Sequence, residues 1–349
     1  MRRLALTVIA VSLLAGPLTA ADVPGFKNSY DEAAKIAEKT GKPLYLHFTT
    51  DWCSWCRKIE NDTYTTNEAE KALENFVPAS LDCTVPRGQR PSKEARFNIE
   101  LMRRYGGGGY PYLVMVTSDH AVLGTISGYV PAERFTKELA QAKEVHEKYK
   151  AFLKEAKKAD ADDLKFQTKA MNIYTEVQKY DKAAEAARKV LKQDPKNKSG
   201  HAAKAHLVLL QQAWGTPPEE GKADAREKTI EKHLQAIQKL DPKNKNGVLE
   251  EAMFGEAVRS LQSISPQASK QQAATKVEKA QKTLLELVEQ TKELNKPQHV
   301  YAYLAQTYLF QDKKDTGVEM LQKAHDADPS SPLAERLEQV ISQLKSGDK

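Results

Sequence analysis

The first part of the chain, to about residue 150, alternates between amphipathic and mostly apolar segments, which predicts helices and buried strands in turn. Residues 28–40 have the spacing of an amphipathic helix, and residues 43–49 (PLYLHFT) are typical of a buried strand. Strands are also predicted at 76–83, 112–116 and 122–126, and helices from the first cysteines to Ile59, at 93–105 and from Pro131 onward. This alternation indicates an α/β layered domain whose last two strands form an antiparallel hairpin.

Beyond about residue 150 strand-like runs disappear, and Ala, Lys, Glu, Gln and Leu dominate. Three segments end alike in an Asp-Pro pair, at residues 194–195, 241–242 and 328–329, which indicates stacked helical hairpins. The segment that ends at Pro329 resembles the tetratricopeptide pattern through Tyr301, Leu304, Ala305, Tyr308, Gly317, Leu321 and Ala324. We therefore predict an all-α domain of tetratricopeptide-like repeats over residues 149–349.

The N-terminus has the features of a secretory signal peptide. Arg2 and Arg3 precede an apolar run from Leu4 to Ala15, and small residues follow. We predict a signal peptide at residues 1–21, with cleavage after Ala20 as the alternative to cleavage after Ala21. No later apolar segment approaches the length of a membrane span, so we expect an exported protein without one after cleavage, in the periplasm or, alternatively, secreted.

Composition adds a constraint on partners. The chain has 349 residues, 29% of them charged, and a net charge of +6, which is small for this length. The sequence shows no compact basic block interleaved with aromatic residues, so binding of nucleic acid is not expected.

The chain has three cysteines, Cys53, Cys56 and Cys83, and they are the candidate reactive residues. A disulfide between Cys53 and Cys56 closes almost no loop, so it contributes little stability through chain entropy, and its purpose is better sought in redox chemistry. The pair lies between a predicted strand and a predicted helix. A thiolate at a helix N-terminus is stabilised by unpaired N–H groups and the helix dipole. We therefore predict Cys53 as the nucleophile and Cys56 as the resolving thiol.

Two structural interpretations of the Cys53–Cys56 pair compete with a redox function. A Cys-x-x-Cys pair can be half of a zinc site, but that needs a second pair of ligands, and neither Cys83 nor the eight histidines have helpful spacing. The pair can also be two buried cysteines without a function. We expect no bound metal and no cofactor, because the chain also lacks a nucleotide-binding Gly-rich fingerprint.

Residues 25–145 resemble the thioredoxin superfamily through two motifs. The segment 52–56, Trp-Cys-Ser-Trp-Cys, matches its Trp-Cys-x-x-Cys active site, in the form of an exported bacterial branch, and residues 105–112 (YGGGGYPY) resemble its cis-proline segment. The resemblance implies a thioredoxin-like domain, assigned to residues 22–148, with a central mixed sheet flanked by helices. It also implies that Pro111 is cis and faces the cysteines, and that Trp52, Trp55 and Tyr110 contact the substrate.

The chain departs from the family at His47, where thioredoxins carry a buried carboxylate that helps to deprotonate the second cysteine. A histidine can act as a base near neutral pH, so His47 is a candidate proton acceptor. The alternative is a strand histidine without a catalytic part. Cys83, at the end of the second predicted strand, is either a third thiol for exchange or a small buried apolar residue.

These observations predict an exported thiol–disulfide oxidoreductase that exchanges disulfides with protein substrates, as a reductase rather than an oxidant. Its partners would be protein thiols and disulfides, a redox partner protein that supplies electrons, and a protein or peptide on the helical repeats. The alternative is an interaction protein in which the helical tail binds a partner and the cysteine domain is accessory. A copper-handling protein that uses both cysteines and a distant histidine is a third, minor reading.

Overall fold

The computed structural model describes residues 25–216, 223–265, 267–291 and 293–346. The predicted signal peptide, with both candidate cleavage points, lies outside these residues. The chain divides into two compact units. One extends to Ala159 and includes Glu176–Lys179, and the other comprises Asp160–Thr175 and the chain from Tyr180 onward. The predicted domain boundary at residues 148–149 lies inside one helix, Ala132–Ala156.

The first unit has the predicted order of helices and strands, with one extra helix. Its elements are α1 Tyr30–Thr40, β1 Leu44–Thr49, α2 Ser54–Asp62, α3 Asn67–Leu73, β2 Val77–Asp82, α4 Lys93–Arg104, β3 Tyr112–Val116, β4 Val122–Ser127 and α5 Ala132–Ala156. Helix α3 was not predicted. It has only seven residues, of which Ala69 and Leu73 are buried, and its N-terminus is set by the Thr66 hydroxyl, which accepts a hydrogen bond from the Ala69 N–H. Such a short helix leaves little periodicity to detect.

The four strands form a mixed sheet in the order β2-β1-β3-β4. β1 pairs in parallel with β2 and antiparallel with β3, and β3 and β4 form the antiparallel hairpin. All six residues of β1 are buried, which explains why its sequence is nearly continuous in apolar residues. The predicted α/β domain with a mixed sheet is confirmed.

Helices cover both faces of this sheet, and side chains alternate between two apolar clusters. Leu44, Leu46 and Phe48 pack on the face covered by α1 and α4. Tyr45 lies on the opposite face, in the cluster that includes residues of α2, α3 and α5. His47 follows the alternation and lies on the Tyr45 side, where its ring contacts Tyr64.

The rest of the chain is helical, as predicted. Its elements are α6 Leu164–Glu176, α7 Tyr180–Gln193, α8 Ala202–Gly215, α9 Ala223–Leu240, α10 Val248–Gln262, α11 Lys270–Gln290, α12 Pro297–Phe310, α13 Lys314–Ala327 and α14 Pro332–Ser346. Within the described ranges, no helix combines the length and the apolarity needed to cross a membrane. The assignment of these helices to tetratricopeptide-like repeats stays a prediction.

Two connectors in this region share the sequence Asp-Pro-Lys-Asn-Lys and the same local structure. The carboxylate of Asp194 accepts a hydrogen bond from the Lys198 N–H, and that of Asp241 accepts one from the Lys245 N–H, both at 2.8 Å. The asparagines of the two connectors, at positions 197 and 244, have φ of 50° and 51°. The repetition that the sequence shows therefore lies in the connectors, where side-chain hydrogen bonds set the turn.

Candidate active site

The cysteine pair lies where β1 passes into α2. Cys53 is the N-cap residue of α2, and its Sγ accepts a hydrogen bond from the Cys56 N–H at 3.1 Å. The two residues form a disulfide and are both buried. In the reduced state, the same N–H group and the positive end of the helix dipole favour the thiolate of Cys53 over its thiol.

Hydrogen bonds fix the turn that carries the pair. The Cys53 N–H donates to the Thr50 carbonyl at 3.2 Å. The Asp51 N–H donates to the Thr84 hydroxyl at 2.9 Å, which ties the turn to the chain just after β2. Arg57 donates to the Asp51 carbonyl from the first turn of α2. These hydrogen bonds fix the backbone of the turn that precedes Cys53 and that of Cys53 itself.

A second loop lies against this turn. The Tyr110–Pro111 peptide bond is cis, and the Pro111 carbonyl accepts a hydrogen bond from the Gly128 N–H at 2.9 Å. The ring of Tyr110 packs edge-on against the ring of Trp52, with 5.8 Å between centroids. The structure therefore places the cis-proline loop beside the residue that precedes Cys53.

Two tryptophans flank Cys53 and are exposed to solvent. Trp52 is 63% exposed and Trp55 is 57% exposed, which is unusual for large apolar side chains. Trp55 packs against Tyr129, with 5.9 Å between ring centroids, and the Lys58 ammonium lies 5.1 Å from the centroid of the Tyr129 ring. We call the surface formed by Trp52, Trp55, Tyr110 and Tyr129 the aromatic surface.

Tyr129 was not among the predicted site residues. It lies in the loop after β4, far from the cysteines in sequence, and only the packing of that loop on α2 brings it to Trp55. The loop is tied to the end of α2 because the Thr63 hydroxyl donates to the Val130 carbonyl at 2.7 Å. The sequence signal was an aromatic residue between the last predicted strand and Pro131, which gives no indication of its contacts.

His47 is fully buried, and neither nitrogen of its ring has a hydrogen-bond partner among the described residues. Burial lowers the pKa of His47 to about 3. Its Nδ1 lies 3.9 Å from Oε1 of Glu60; the Glu60 side chain is 18% exposed, but its Oε1 atom is buried and has no hydrogen-bond partner in the described part of the chain. The ring is therefore neutral at pH 7 and a weak base there.

Glu60 is the titratable group that the sequence reading missed. Burial raises its pKa to about 7, although the positive charge of Arg57 acts in the opposite direction. It follows Cys56 by four positions on α2, so the two side chains lie on the same face of the helix. Glu60 also lines a cavity of about 940 Å³ that reaches Tyr64 and His146. The four-residue spacing was visible in the sequence, but the burial that shifts the pKa depends on tertiary packing.

Cys83 is buried and does not form a disulfide. Burial raises the pKa of its thiol to about 12, and a hydrogen bond with the Tyr110 hydroxyl only partly offsets this. A thiol with so high a pKa is a poor nucleophile at pH 7. In the described residues, no group of three or more His, Cys, Asp or Glu side chains could hold a metal ion.

Comparison with known proteins identifies the domain that carries the cysteine pair. Residues 30–143 match the family model described as a thioredoxin-like domain. The chain is 28% identical over 142 residues to the chloroplastic thioredoxin-like protein HCF164 of rice (Oryza sativa subsp. japonica), which covers 38% of this chain and 48% of the relative. It is 29% identical over 117 residues to the thiol:disulfide interchange protein DsbD of Neisseria meningitidis serogroup A, which covers 33% of this chain and 18% of the relative.

Among solved structures, a thioredoxin from Thermus thermophilus is 27% identical with a TM-score of 0.28, over 34% of this chain and 86% of that one. The chain thus spans less than half of the length of either curated relative described above. The matched residues contain every strand of the first unit, the cysteine pair and the cis-proline loop. Residues 30–143 are therefore a thioredoxin-like domain, and a helix-rich region follows it in the chain.

Proposed function

We propose that the chain is an exported thiol–disulfide oxidoreductase that reduces protein disulfides through Cys53 and Cys56. The observation that carries the proposal is the placement of Cys53. It caps α2, it is joined to Cys56, and it lies between two exposed tryptophans beside a cis-proline loop. A purely structural disulfide needs none of these neighbours. Export rests on the predicted signal peptide, and the family of the domain supports the chemistry.

The reaction begins with the reduced pair. The Cys53 thiolate attacks one sulfur of a substrate disulfide, so a mixed disulfide forms and the other substrate sulfur leaves as a thiolate. Cys56 then loses its proton and attacks Cys53 Sγ. The Cys53–Cys56 disulfide forms, the bond to the substrate breaks, and the second substrate sulfur leaves. Two electrons pass to the substrate, and a redox partner protein must return two electrons to the pair.

Glu60 is the proton acceptor that we propose for Cys56. A carboxylate with a pKa near 7 is matched to this task, because it is partly ionised at neutral pH and still basic enough to take a proton. We assign His47 a positioning part. Its neutral ring lies beside Glu60 with Nδ1 3.9 Å from Oε1, so it excludes water from that oxygen without donating a hydrogen bond to it, and this burial raises the pKa of Glu60.

The aromatic surface is the proposed docking site for the substrate. Tyr110, which precedes the cis proline, and Trp52 and Trp55, which flank Cys53, together offer an apolar platform around the reacting sulfur. Such a platform suits an unfolded or loop segment with apolar residues near its disulfide, because folded proteins expose few such residues.

The test is disulfide reduction by the full chain without its predicted signal peptide, with dithiothreitol to regenerate the thiols. Cys53→Ser should abolish turnover of a protein disulfide, and Cys56→Ser, reduced beforehand and mixed with the substrate without dithiothreitol, should accumulate a mixed disulfide on Cys53 that non-reducing electrophoresis detects. Cys83→Ser is the matched control and should keep full activity. A redox titration should give a potential near about −270 mV, as for thioredoxin. A value near about −120 mV would instead mark an oxidant, and the absence of a reversible two-thiol transition would reject the function.

A further inference from the structure

The helix-rich region contains a cavity of about 500 Å³ that is unusual in its charge. Four basic side chains line it, namely Arg188 from α7, His206 from α8, and Lys232 and His233 from α9. The hydroxyl-bearing residues Thr216 and Thr229 also line it. The described lining residues include no carboxylate, although acidic residues are nearly as frequent in this chain as basic ones.

In the described part of the chain, the two permanent cations of this cavity have no ion-pair partner. Arg188 and Lys232 are exposed, so both charged groups are accessible to a ligand from solvent. Arg188 instead donates to the side-chain oxygen Oε1 of Gln212 at 2.7 Å, and the side-chain amide of Gln212 donates to Asp181 at 2.9 Å. Gln212 thus orients the guanidinium, which has no carboxylate partner among the described residues.

The two histidines form a close pair. Their Nδ1 atoms lie 2.8 Å apart, so one ring donates a hydrogen bond and the other accepts it, and the pair in this state holds at most one charge. His233 is almost fully buried. Burial, followed by the positive charges of its neighbours, lowers the pKa of His233 to about 4, and burial and Lys232 lower the pKa of His206. The positive charges beside the pair therefore oppose its protonation.

We propose that this cavity is a binding site for a tetrahedral oxyanion, a phosphate or sulfate group of a small molecule, and that binding is coupled to proton uptake by the His206–His233 pair. The Arg188 fork and the Lys232 ammonium are donors of the type that bind such groups. An anion in the cavity reverses the local field, so it favours uptake of one proton by the histidine pair, which the cations oppose. By linkage, affinity rises as the pH falls.

Calorimetric titration of the full chain with sodium sulfate at constant ionic strength tests this. Sulfate stays fully ionised over the range used, so any proton taken up belongs to the protein. We expect saturable binding with a Kd about tenfold lower at pH 5.5 than at pH 7.5, and a heat that depends on the ionisation enthalpy of the buffer. Competition by inorganic phosphate and by glycerol phosphate then distinguishes a free anion from a phosphate monoester.

Variants locate the site. Arg188→Gln should weaken binding about tenfold or more, and His206→Gln should remove the buffer-dependent heat. Lys239→Gln, an exposed lysine of the same helix α9 as Lys232, is the matched control and should bind as the parent does. Unchanged binding in Arg188→Gln, non-saturable binding, or binding without proton uptake would each overturn the proposal. Because Cys53→Ser leaves this cavity intact, it should bind sulfate normally whether or not the proposed redox function holds.

Discussion

Each of the two regions of this chain holds a glutamate away from solvent, Glu256 fully and Glu60 in part, and their surroundings shift the two pKa values in opposite directions. Glu256, in the helix-rich region, accepts hydrogen bonds from Trp214, Arg259 and Lys279 at 2.8 to 3.0 Å. Burial alone would raise its pKa, but these donors outweigh burial, and its pKa is lowered. Glu60, in the thioredoxin-like domain, has no donor to its buried Oε1 among the described residues, and burial raises its pKa to about 7.

The difference separates two uses of a buried acid. A fully paired carboxylate is fixed in its charged form and holds neighbouring helices in register, so it contributes to stability and specificity. An unpaired one is held near its own midpoint, which costs stability but makes it able to exchange a proton at neutral pH. The contrast predicts that removal of one acid harms folding and removal of the other harms the reaction.

The largest expected effect is on stability in the helix-rich region. Glu256→Gln removes the charge that balances Arg259 and Lys279, and breaking a buried pair of this kind costs about 3 kcal/mol or more of the free energy of unfolding. Urea denaturation followed by circular dichroism measures it. Disulfide reduction by the folded fraction should stay unchanged. Glu227→Gln, which removes the half-exposed partner of Arg259, is the control and should cost less than about 1 kcal/mol.

Glu60→Gln should give the opposite result. We expect the resolving step, measured as the decay of the mixed disulfide, to slow about 10- to 100-fold at pH 8, because Cys56 loses its proton acceptor. The parent's rate should rise with pH through about 7, where Glu60 ionises, and the variant should lose this rise. Stability above pH 7 should stay equal or increase, since the folded state no longer holds a buried charge. An unchanged pH profile would remove Glu60 from the mechanism.

The comparison of Glu60 with Glu256 also shows which features of the site could be predicted from the sequence. The strand before Cys53 and the helix after it are local patterns, so the position of the pair at a helix N-terminus could be read directly. The mixed sheet followed from the order of the elements. The state of Glu60 could not be read, because it depends on His47 from β1 and on the cavity beside it. Tyr129 was missed for the same reason, since only the packing of two loops brings it to Trp55.

The third expected effect is a change in the stability of the thioredoxin-like domain at acidic pH. A histidine whose pKa is lowered on folding stabilises the protein above its unfolded value of about 6.5 and loses this contribution as the pH falls below it. His47, with a pKa of about 3, should cost the thioredoxin-like domain roughly 2 kcal/mol between pH 7.5 and pH 5 at 1.36 kcal/mol per pH unit. Glu60, whose pKa is raised to about 7, opposes this loss over the same range, so the loss is measured as urea midpoints at several pH values in the Glu60→Gln background, and His47→Leu is tested there. His47→Leu should flatten the dependence, and an equally steep curve in that variant would assign the loss to other groups.

The smallest effect tests how closely the cis-proline loop is packed. A Cβ added to Gly107 would lie 2.5 Å from Cγ of Met102 and 2.6 Å from Cδ1 of Tyr112, the residue after Pro111. A Cβ added to Gly108, the next residue, meets nothing within 4 Å. Gly107→Ala should therefore cost about 1–2 kcal/mol of stability and should also slow substrate reduction a few-fold, because Tyr112 must shift and it adjoins the loop. Gly108→Ala should match the parent in both. If Gly107→Ala lost stability at unchanged activity, the close packing of the loop would serve the fold of the domain and not its reaction. The difference between a group that serves stability and one that serves the reaction would then rest on Glu256 and Glu60 alone.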